Sequence, residues 1–186
     1  MTNRIPCVIG VAEHAGWAHV VCAAFSNGVP VVVDRRRVTL IDEGLPTMPY
    51  HHETLKMSVA DADALIARVR KSIASCASRA LSGIINDLTS TYDVVALVIR
   101  DPTFAGLPES VASVRRSYAL QCAADGMMYQ LALCDAAREL GLDVHQYGRR
   151  ESFEDVPNRP PGPPWTEEHR RAYAAAIAVL SSTVRT

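Results

Sequence analysis

An unbroken apolar segment in the middle of the chain constrains the fold more than any other feature. Residues 92–99 read YDVVALVI and end in six consecutive apolar residues without polar alternation. A strand with one solvated face alternates polar and apolar side chains, whereas a continuous run of long or β-branched residues is typical of a strand buried on both faces. The segment therefore predicts an inner strand of a sheet that has helices on both sides.

The segments around this run alternate between strand and helix patterns. In chain order, the predicted elements are strands at residues 6–11, 17–25 and 29–41, a helix at 58–88, the strand at 92–99, a helix at 108–140, a strand at 142–147 and a helix from 166 onward. Turns are predicted at 13–16 and 26–28, and a loop at 42–57. Ser58 is predicted to cap its helix, with Asp61 in a capping-box arrangement. The first three strands are expected to form an antiparallel meander.

The composition excludes several classes of protein. Of the 186 residues, 48% are hydrophobic and 21% are charged, which is typical of a globular chain and unlike a disordered one. No apolar run approaches the roughly 18 residues that span a bilayer, so no membrane partner is expected. Nineteen basic and twenty acidic residues give a net charge of -1, which argues against a strongly cationic nucleic-acid binder.

The cysteines and the N-terminal residues predict the cellular compartment, and the length predicts the number of domains. The five cysteines include no C-x-x-C pair and no metal-ligand spacing, so most are expected to be free thiols in the core. Polar residues come too early in the chain for a secretory signal, which predicts a cytoplasmic protein. Residues 1–186 are expected to form one domain, in which a proline-rich linker at 148–165 leads to the C-terminal helix.

The predicted order, β-β-β-α-β-α-β-α, resembles that of the ribonuclease H-like fold. Residues 92–152, from YDVVALVIRDP to VHQYGRRES, are similar to the central stretch of the RuvC-type Holliday-junction resolvases. The opening IGVAEHAGWAHVV resembles the first strand of that family and its turn into the second, and AYAAAIAVL resembles its last helix. The resemblance implies an α/β protein with a mixed five-stranded sheet and helices on both faces.

That resemblance also implies a metal-dependent nuclease site. Ribonuclease H-like nucleases hold two Mg²⁺ ions with about four carboxylates from the first strand, the fourth strand and the last helix. By the resemblance, the first-strand acid falls on Ala12, and the adjacent Glu13 points to the other face of the strand. The fourth-strand acid falls on Arg100 or Asp101, of which only Asp101 has a carboxylate.

The last helix departs from the implied pattern as well. The implied acids fall near His169 and Tyr173, and a tyrosine does not replace a carboxylate as a ligand of Mg²⁺. Glu167 and His169, at the start of the helix, remain as candidates. The predicted catalytic residues are therefore Glu13, Asp101, Glu167 and His169. Glu13 and Asp101 are the predicted ligands of Mg²⁺ or Mn²⁺.

Each candidate also has a purely structural explanation. Glu13 and Asp101 are typical of polar turns that follow strands. His169 is typical of a solvated first helical turn. Residues 51–53 read HHE and offer donor atoms for an ion, but neighbours in sequence rarely reach one ion together, and a solvated loop is the alternative.

The arginine clusters bear on the choice between two functions. Arginines at 35–37, 115–116 and 149–150 either form a phosphate-binding surface or are dispersed over a balanced surface. One hypothesis is a non-catalytic or weakly active ribonuclease H-like protein with a binding or assembly role, including on nucleic acid; the missing first-strand acid favours it. The other is a Mg²⁺- or Mn²⁺-dependent nuclease that cleaves DNA or RNA. The alanine-rich last helix, Trp17 and Trp165 would also suit a homodimer surface.

Overall fold

The computed structural model describes residues 4–102, 107–148, 151–153 and 162–183. The strands are β1 (Ile5–His14), β2 (Trp17–Ser26), β3 (Val29–Thr39), β4 (Tyr92–Arg100) and β5 (Asp143–Tyr147). The α-helices are α1 (Val59–Leu88), α2 (Val111–Val114), α3 (Tyr118–Glu139) and α4 (Glu167–Thr183). Their order along the chain agrees with the prediction, except that one predicted helix is divided into α2 and α3.

The strands form one mixed sheet in the order β3-β2-β1-β4-β5. β1 pairs antiparallel with β2 and β2 with β3, whereas β4 is parallel to both β1 and β5. The predicted meander and the predicted inner position of residues 94–99 are therefore confirmed. β4 is apolar on both faces, with Leu97 and Ile99 in one core and Ala96 and Val98 in the other.

Helices cover both faces of the sheet, so each face has its own core. α1 and α3 pack on the face that carries Ile9 and Val11, and α4 packs on the face that carries Val8. α4 lies so close to β1 that a Cβ atom on Gly10 would overlap the carbonyl oxygen of Ala172. Glycine at this position therefore lets the backbone of α4 pack directly against the sheet.

The long helix α1 begins as its sequence predicts. Ser58 is the N-cap, and its hydroxyl oxygen accepts a hydrogen bond from the backbone N–H of Asp61 at 3.1 Å. The apolar side chains recur every three or four residues, and the buried ones include Leu65, Ile66, Val69, Ile73, Leu81 and Ile84. One face of α1 thus covers the sheet, as an amphipathic helix does.

β1 continues further than the sequence predicts. The predicted first turn is wrong in its first half, because Glu13 and His14 belong to β1 and pair with Ala18 and Trp17 of β2. Two residues are enough for the turn, since Gly16 adopts a φ of +91° that other residues rarely adopt. The extension places both polar side chains at the end of a strand instead of in a loop.

The helix predicted at 108–140 is in fact two helices. The chain leaves helical geometry at Ser117, whose φ of -140° and ψ of 127° are extended. The side-chain amide of Gln121 donates to the carbonyl oxygen of Arg115 at 2.9 Å, which supplies a partner at the end of α2. α3 then runs through Gly126 as an uninterrupted helix.

The loop predicted at residues 42–57 is confirmed, and polar contacts fix it to α3. The buried carboxylate of Asp125 accepts backbone hydrogen bonds from Tyr50 at 3.0 Å and His51 at 3.1 Å. Tyr129 donates its hydroxyl proton to a carbonyl oxygen of the same loop, that of Thr47, at 2.8 Å. A short 3₁₀ turn, Thr54–Lys56, ends the loop before α1.

The cysteines agree with the expectation of core thiols. All five are free, and the four buried ones are Cys7, Cys22, Cys76 and Cys134. Cys122 of α3 is partly exposed. Within the described ranges, no helix combines the length and the apolar character needed to cross a membrane.

The predicted linker is described only in part, because residues 149–150 and 154–161 lie outside the described ranges. Its last residues are attached to the edge of the sheet. Arg35 of β3 donates hydrogen bonds to the carbonyl oxygens of Gly162 at 2.8 Å and Pro164 at 2.7 Å. The segment that leads into α4 is therefore held by the edge strand.

Candidate functional site

The carboxyl ends of the three parallel strands meet the first turns of α4. A cleft of about 180 Å³ opens there, which we call the strand-end cleft; it is lined by Ala12, Glu13, His14, Arg100, Tyr147, Glu168 and Arg171. β1, β4, β5 and α4 each contribute to it. Because ligands of open α/β sheets bind beyond the carboxyl ends of the strands, this cleft is the candidate functional site.

Glu13 is buried in the cleft wall and is neutralised by a neighbouring arginine. Its side chain is 6% exposed, and its Oε1 atom accepts a hydrogen bond from Nη2 of Arg100 at 2.6 Å. The same oxygen accepts a second bond from Nε2 of Gln130, on α3, at 2.7 Å. Burial of a carboxylate requires such partners. Glu13 thus points toward the face that α3 covers, away from α4.

Glu168, in the first turn of α4, contacts two histidines of the sheet. Its Oε1 atom lies 2.9 Å from Nε2 of His14, and its Oε2 atom lies 3.7 Å from Nε2 of His19. His14 also stacks on Trp17, with 3.9 Å between the ring centroids, and the guanidinium of Arg37 lies 4.4 Å from the Trp17 centroid. These contacts join the start of α4 to β1 and β2.

His169 is a core residue, so the expectation of a solvated first turn is wrong. It is 2% exposed, its ring centroid lies 3.9 Å from that of His19, and its Nδ1 atom lies 2.7 Å from the hydroxyl oxygen of Thr166. Burial lowers the pKa of both His19 and His169 below the usual value of 6.5, and the neighbouring His19 lowers the pKa of His169 further. Both rings therefore favour the neutral form.

Two guanidinium groups, those of Arg100 and Arg171, line the strand-end cleft together with the carboxylates of Glu13 and Glu168. Arg100 ends β4, and its side chain is 41% exposed although it binds Glu13. Arg171 lies 5.3 Å from the ring centroid of Tyr147 and donates to the carbonyl oxygen of Glu151 at 3.4 Å. The lining of the cleft therefore carries two basic and two acidic side chains.

The structure places the predicted site residues apart. Glu13 lines the strand-end cleft, whereas Asp101 lines a second cleft of about 480 Å³ between the end of β4 and α3. Asp101 is exposed, and its backbone N–H donates to the carbonyl oxygen of Tyr147 at 2.9 Å. Glu167 is an exposed residue at the start of α4, and the next residue, Glu168, lines the strand-end cleft.

These side chains do not fit a two-metal centre. In the part of the chain that the structure describes, no three His, Cys, Asp or Glu side chains form a group that could hold an ion. At the first-strand position implied by the resemblance stands Ala12, which has no ligand atom. At the fourth-strand position stand Arg100, whose positive charge repels a cation, and Asp101, which lines the other cleft. The donor atoms offered by residues 51–53 lie elsewhere, in the loop that Asp125 fixes to α3. There His51 and His52 stack on each other with 4.1 Å between their ring centroids.

Glu168 and Arg171 were not predicted as site residues. The two are three positions apart and therefore share one face of α4, a spacing that could have paired them. The contacts of His14 follow from the register of β1 with β2, in which His14 pairs with Trp17. That register was not predicted, because Glu13 and His14 were assigned to a turn.

Comparisons with known proteins identify the fold. No protein-family model matches the sequence, and no curated protein matches it. The structure is similar to that of Thermus thermophilus RuvC in complex with a Holliday junction substrate, with 11% sequence identity, a TM-score of 0.53 and coverage of 96% of this chain and 95% of that chain. A second structure of Thermus thermophilus RuvC matches with 11% identity, a TM-score of 0.52 and 97% coverage of both chains. The predicted ribonuclease H-like fold is thereby confirmed.

Proposed function

We propose that this chain is a nucleic-acid-binding protein with a ribonuclease H-like fold that does not hydrolyse phosphodiester bonds through two metal ions. The observation that carries the proposal is the pair of Arg100 and Glu13, 2.6 Å apart at the ends of β4 and β1. A guanidinium stands where a metal-binding fold needs an oxygen ligand, and it neutralises the nearest carboxylate of the sheet. Ala12 supplies no ligand on the α4 face.

The proposal that this chain is not a two-metal nuclease rests on the number of available metal ligands. Two hard divalent ions need several oxygen ligands that converge from different elements. Among the acidic residues of the strand-end cleft, Glu13 binds Arg100 and Gln130, and Glu168 binds His14. An ion would have to displace these contacts while Arg100 repels it.

Nucleic-acid binding is supported by the side chains near the cleft. Arg37 lies on Trp17, Arg171 lies on Tyr147, and the guanidinium of Arg35 lies 5.8 Å from the ring centroid of Trp165. Proteins that bind single-stranded nucleic acid combine such groups: arginines contact the phosphates, and aromatic rings stack on the bases. The RuvC structure with the same fold contains a Holliday junction. Because the net charge is only -1, we expect binding to be weak and strongly dependent on salt.

The alternative is a Mg²⁺- or Mn²⁺-dependent nuclease, in which Glu13 and Asp101 hold the ions and Glu167 and His169 assist. The similarity of the whole fold to RuvC favours it. It requires Arg100 to release Glu13 and requires His169 to leave the core. Those two rearrangements make it the second candidate.

The proposal is tested by calorimetric titration of Mn²⁺ into the wild type and Asp101→Asn, beside a cleavage assay on branched and linear DNA. We expect no binding of two ions and no cleavage by either protein. Fluorescence anisotropy with labelled single-stranded and branched DNA should show binding at low salt that is lost as salt increases. Tight binding of two ions, with cleavage that disappears in Asp101→Asn, would establish the nuclease instead.

The proposal includes a cytoplasmic location and a homodimer. The alanine-rich face of α4 is not the surface that would form the dimer. Ala172, Ala175 and Ala176 are fully buried against the sheet of the same chain. Trp17 and Trp165, which are both partly exposed, are the remaining predicted contacts. Sedimentation equilibrium of the wild type and Trp17→Ala tests this assembly.

A further inference from the structure

We infer that nucleic acid binds over a cluster of histidines beside the start of α4, and that protonation of these histidines strengthens the binding. The cluster, which we call the histidine cluster, consists of His14, Trp17, His19, Arg37, Glu168 and His169. This inference rests on the proposed function and adds to it the place of binding and its regulation.

The strand register brings the residues of the histidine cluster together. Arg37 of β3 pairs with His19 of β2, and Trp17 of β2 pairs with His14 of β1. Side chains two positions apart on a strand share a face, and the rings of Trp17 and His19 accordingly lie 4.8 Å apart, centroid to centroid. The first turn of α4 packs on the same face. Three strands and one helix therefore contribute to a single cluster.

Arg37 is the residue of the cluster that is suited to contact a phosphate. Its side chain is exposed, and its guanidinium lies 4.4 Å from the ring centroid of Trp17. In the described part of the chain it forms no ion pair and no side-chain hydrogen bond, whereas Arg35 donates to the carbonyl oxygens of Gly162 and Pro164. An arginine stacked on an aromatic ring keeps its in-plane donors for the oxygens of a phosphate.

The charges of the cluster almost cancel at neutral pH. The charged and titratable groups that act on the two inner histidines are His14, Arg35, Arg37 and Glu168, together with each of these histidines on the other. Burial lowers the pKa of both His19 and His169, so both rings are neutral at this pH. Two guanidiniums then face one carboxylate, and the attraction for a polyanion is small.

Acid changes this balance, because the two inner histidines are neighbours. The ring centroids of His19 and His169 lie 3.9 Å apart, and Oε2 of Glu168 lies 3.7 Å from Nε2 of His19. Protonation of both rings would place two cations beside Arg35 and Arg37, with Glu168 as the carboxylate that the described residues bring to them. A bound polyanion supplies further negative charge. By linkage, nucleic acid therefore binds the protonated protein more tightly and raises the pKa of the histidines.

The direct test is the pH dependence of DNA binding by His19→Gln/His169→Gln. Its matched control, His52→Gln/His145→Gln, removes two exposed histidines, one from the loop before α1 and one from β5. We measure fluorescence anisotropy with labelled single-stranded and branched DNA at constant ionic strength, at pH values where circular dichroism shows each protein to be folded.

We expect the association constants of the wild type and the control to rise at least about tenfold between pH 7.5 and pH 5.5, since uptake of one proton on binding changes the constant about tenfold per pH unit. The rise should be largely absent in His19→Gln/His169→Gln. Histidine ring signals in NMR titrations should also show that single-stranded DNA raises the pKa of His19.

Arg37→Gln tests the place of binding, with Arg138→Gln as the control of equal charge change. Arg138 is exposed on α3 and pairs with Asp135 at 2.9 Å, outside the histidine cluster. Arg37→Gln should weaken binding at every pH, and it should lower the slope of log K against log salt by about one. Arg138→Gln should keep the slope of the wild type.

The outcomes separate this inference from the proposed function. If the wild type binds DNA, but the two double variants share one pH dependence, the histidines do not regulate binding and the inference is wrong. It is also wrong if Arg37→Gln and Arg138→Gln bind equally well, since the interface then lies elsewhere. In both cases the proposed function stands. If the wild type binds no oligonucleotide at any pH, the proposed function is wrong as well.

Discussion

At the scale of single residues, the burial of Asp125 has a measurable consequence. This residue is 1% exposed, and burial raises its pKa to about 7, although two backbone N–H groups stabilise the carboxylate. The folded protein therefore holds this proton more tightly than the unfolded chain does. The resulting stability is complete below about pH 4 and is lost as the pH rises through about 7.

We predict that Asp125→Asn removes this part of the pH dependence. Between pH 5 and pH 8, the unfolding free energy of the wild type should fall by about 2 kcal/mol more than that of the variant. Urea denaturation at both pH values measures the difference. Parallel pH profiles of the two proteins would show that Asp125 does not titrate in this range.

At the scale of elements, the sequence predicted strands and helices well where one pattern covers the whole element. α1 has its cap and its apolar periodicity in the sequence, and β4 has its unbroken apolar run. The break between α2 and α3 was missed, because nothing from Arg115 to Ser117 is a strong helix breaker. The break depends on tertiary contacts, namely the buried Val111 and Val114 and the bond from Gln121 to Arg115.

The close packing of α4 on β1 leads to a prediction for Gly10. Gly10→Ala would place a methyl group on the carbonyl oxygen of Ala172 and should lower the unfolding free energy by about 1–3 kcal/mol. Gly83→Ala, in α1, is the matched control, because no atom beyond the neighbouring residues and the local helix backbone lies within 4 Å of the added methyl group. It should raise stability by up to about 1 kcal/mol through helix propensity. Equal effects in urea denaturation would contradict close packing at Gly10.

His19 of β2 and His169 of α4 make the packing of α4 on the sheet sensitive to acid. His19 and His169 have pKa values below 6.5 in the folded protein, so the unfolded chain takes up their protons first as the pH falls. Their contribution to stability is therefore complete above about pH 6.5 and is lost on acidification through the lower folded pKa values. This direction is opposite to that of Asp125.

We expect His19→Gln/His169→Gln to lose less stability than the wild type between pH 7.5 and pH 5. The measurement is the unfolding free energy at several pH values, with His52→Gln as the control because His52 is exposed. A wild type and double variant with the same acid profile would show that the pKa values of these two rings do not differ between the folded and unfolded states.

At the scale of the whole molecule, the sequence predicted the fold but not the arrangement of the site. Element order and strand character are local properties, and they were sufficient for the ribonuclease H-like topology. The site depends on which side chains meet at the ends of three strands and a helix. Glu168, Arg171 and His14 come together there through register and packing, for which the sequence carries only indirect signals.

Exchange of the two residues that oppose a cation in the strand-end cleft should create a metal site. Ala12 and Arg100 line the same cleft as Glu168. We predict that Ala12→Asp/Arg100→Glu binds Mn²⁺ at least about tenfold more tightly than the wild type, because it adds two oxygen ligands and removes a cation. Ala12→Asp alone should gain little, since Arg100 would pair with the new carboxylate. Calorimetry on the three proteins measures this, and equal affinities would show that the cleft geometry does not support an ion.

In the described part of the chain, α4 is the helix that covers one face of the sheet, and its late position in the sequence has a consequence for synthesis on the ribosome. All five strands precede α4 in the chain, so they emerge before the helix that covers Val8, Val21 and Val98. Since domains begin to fold from the N-terminus while translation proceeds, the nascent sheet exposes an apolar surface until residues 167–183 leave the exit tunnel. During that interval the surface is open to chaperones and to aggregation, and a ribosome that stalls within the proline-rich residues 157–164 would prolong it.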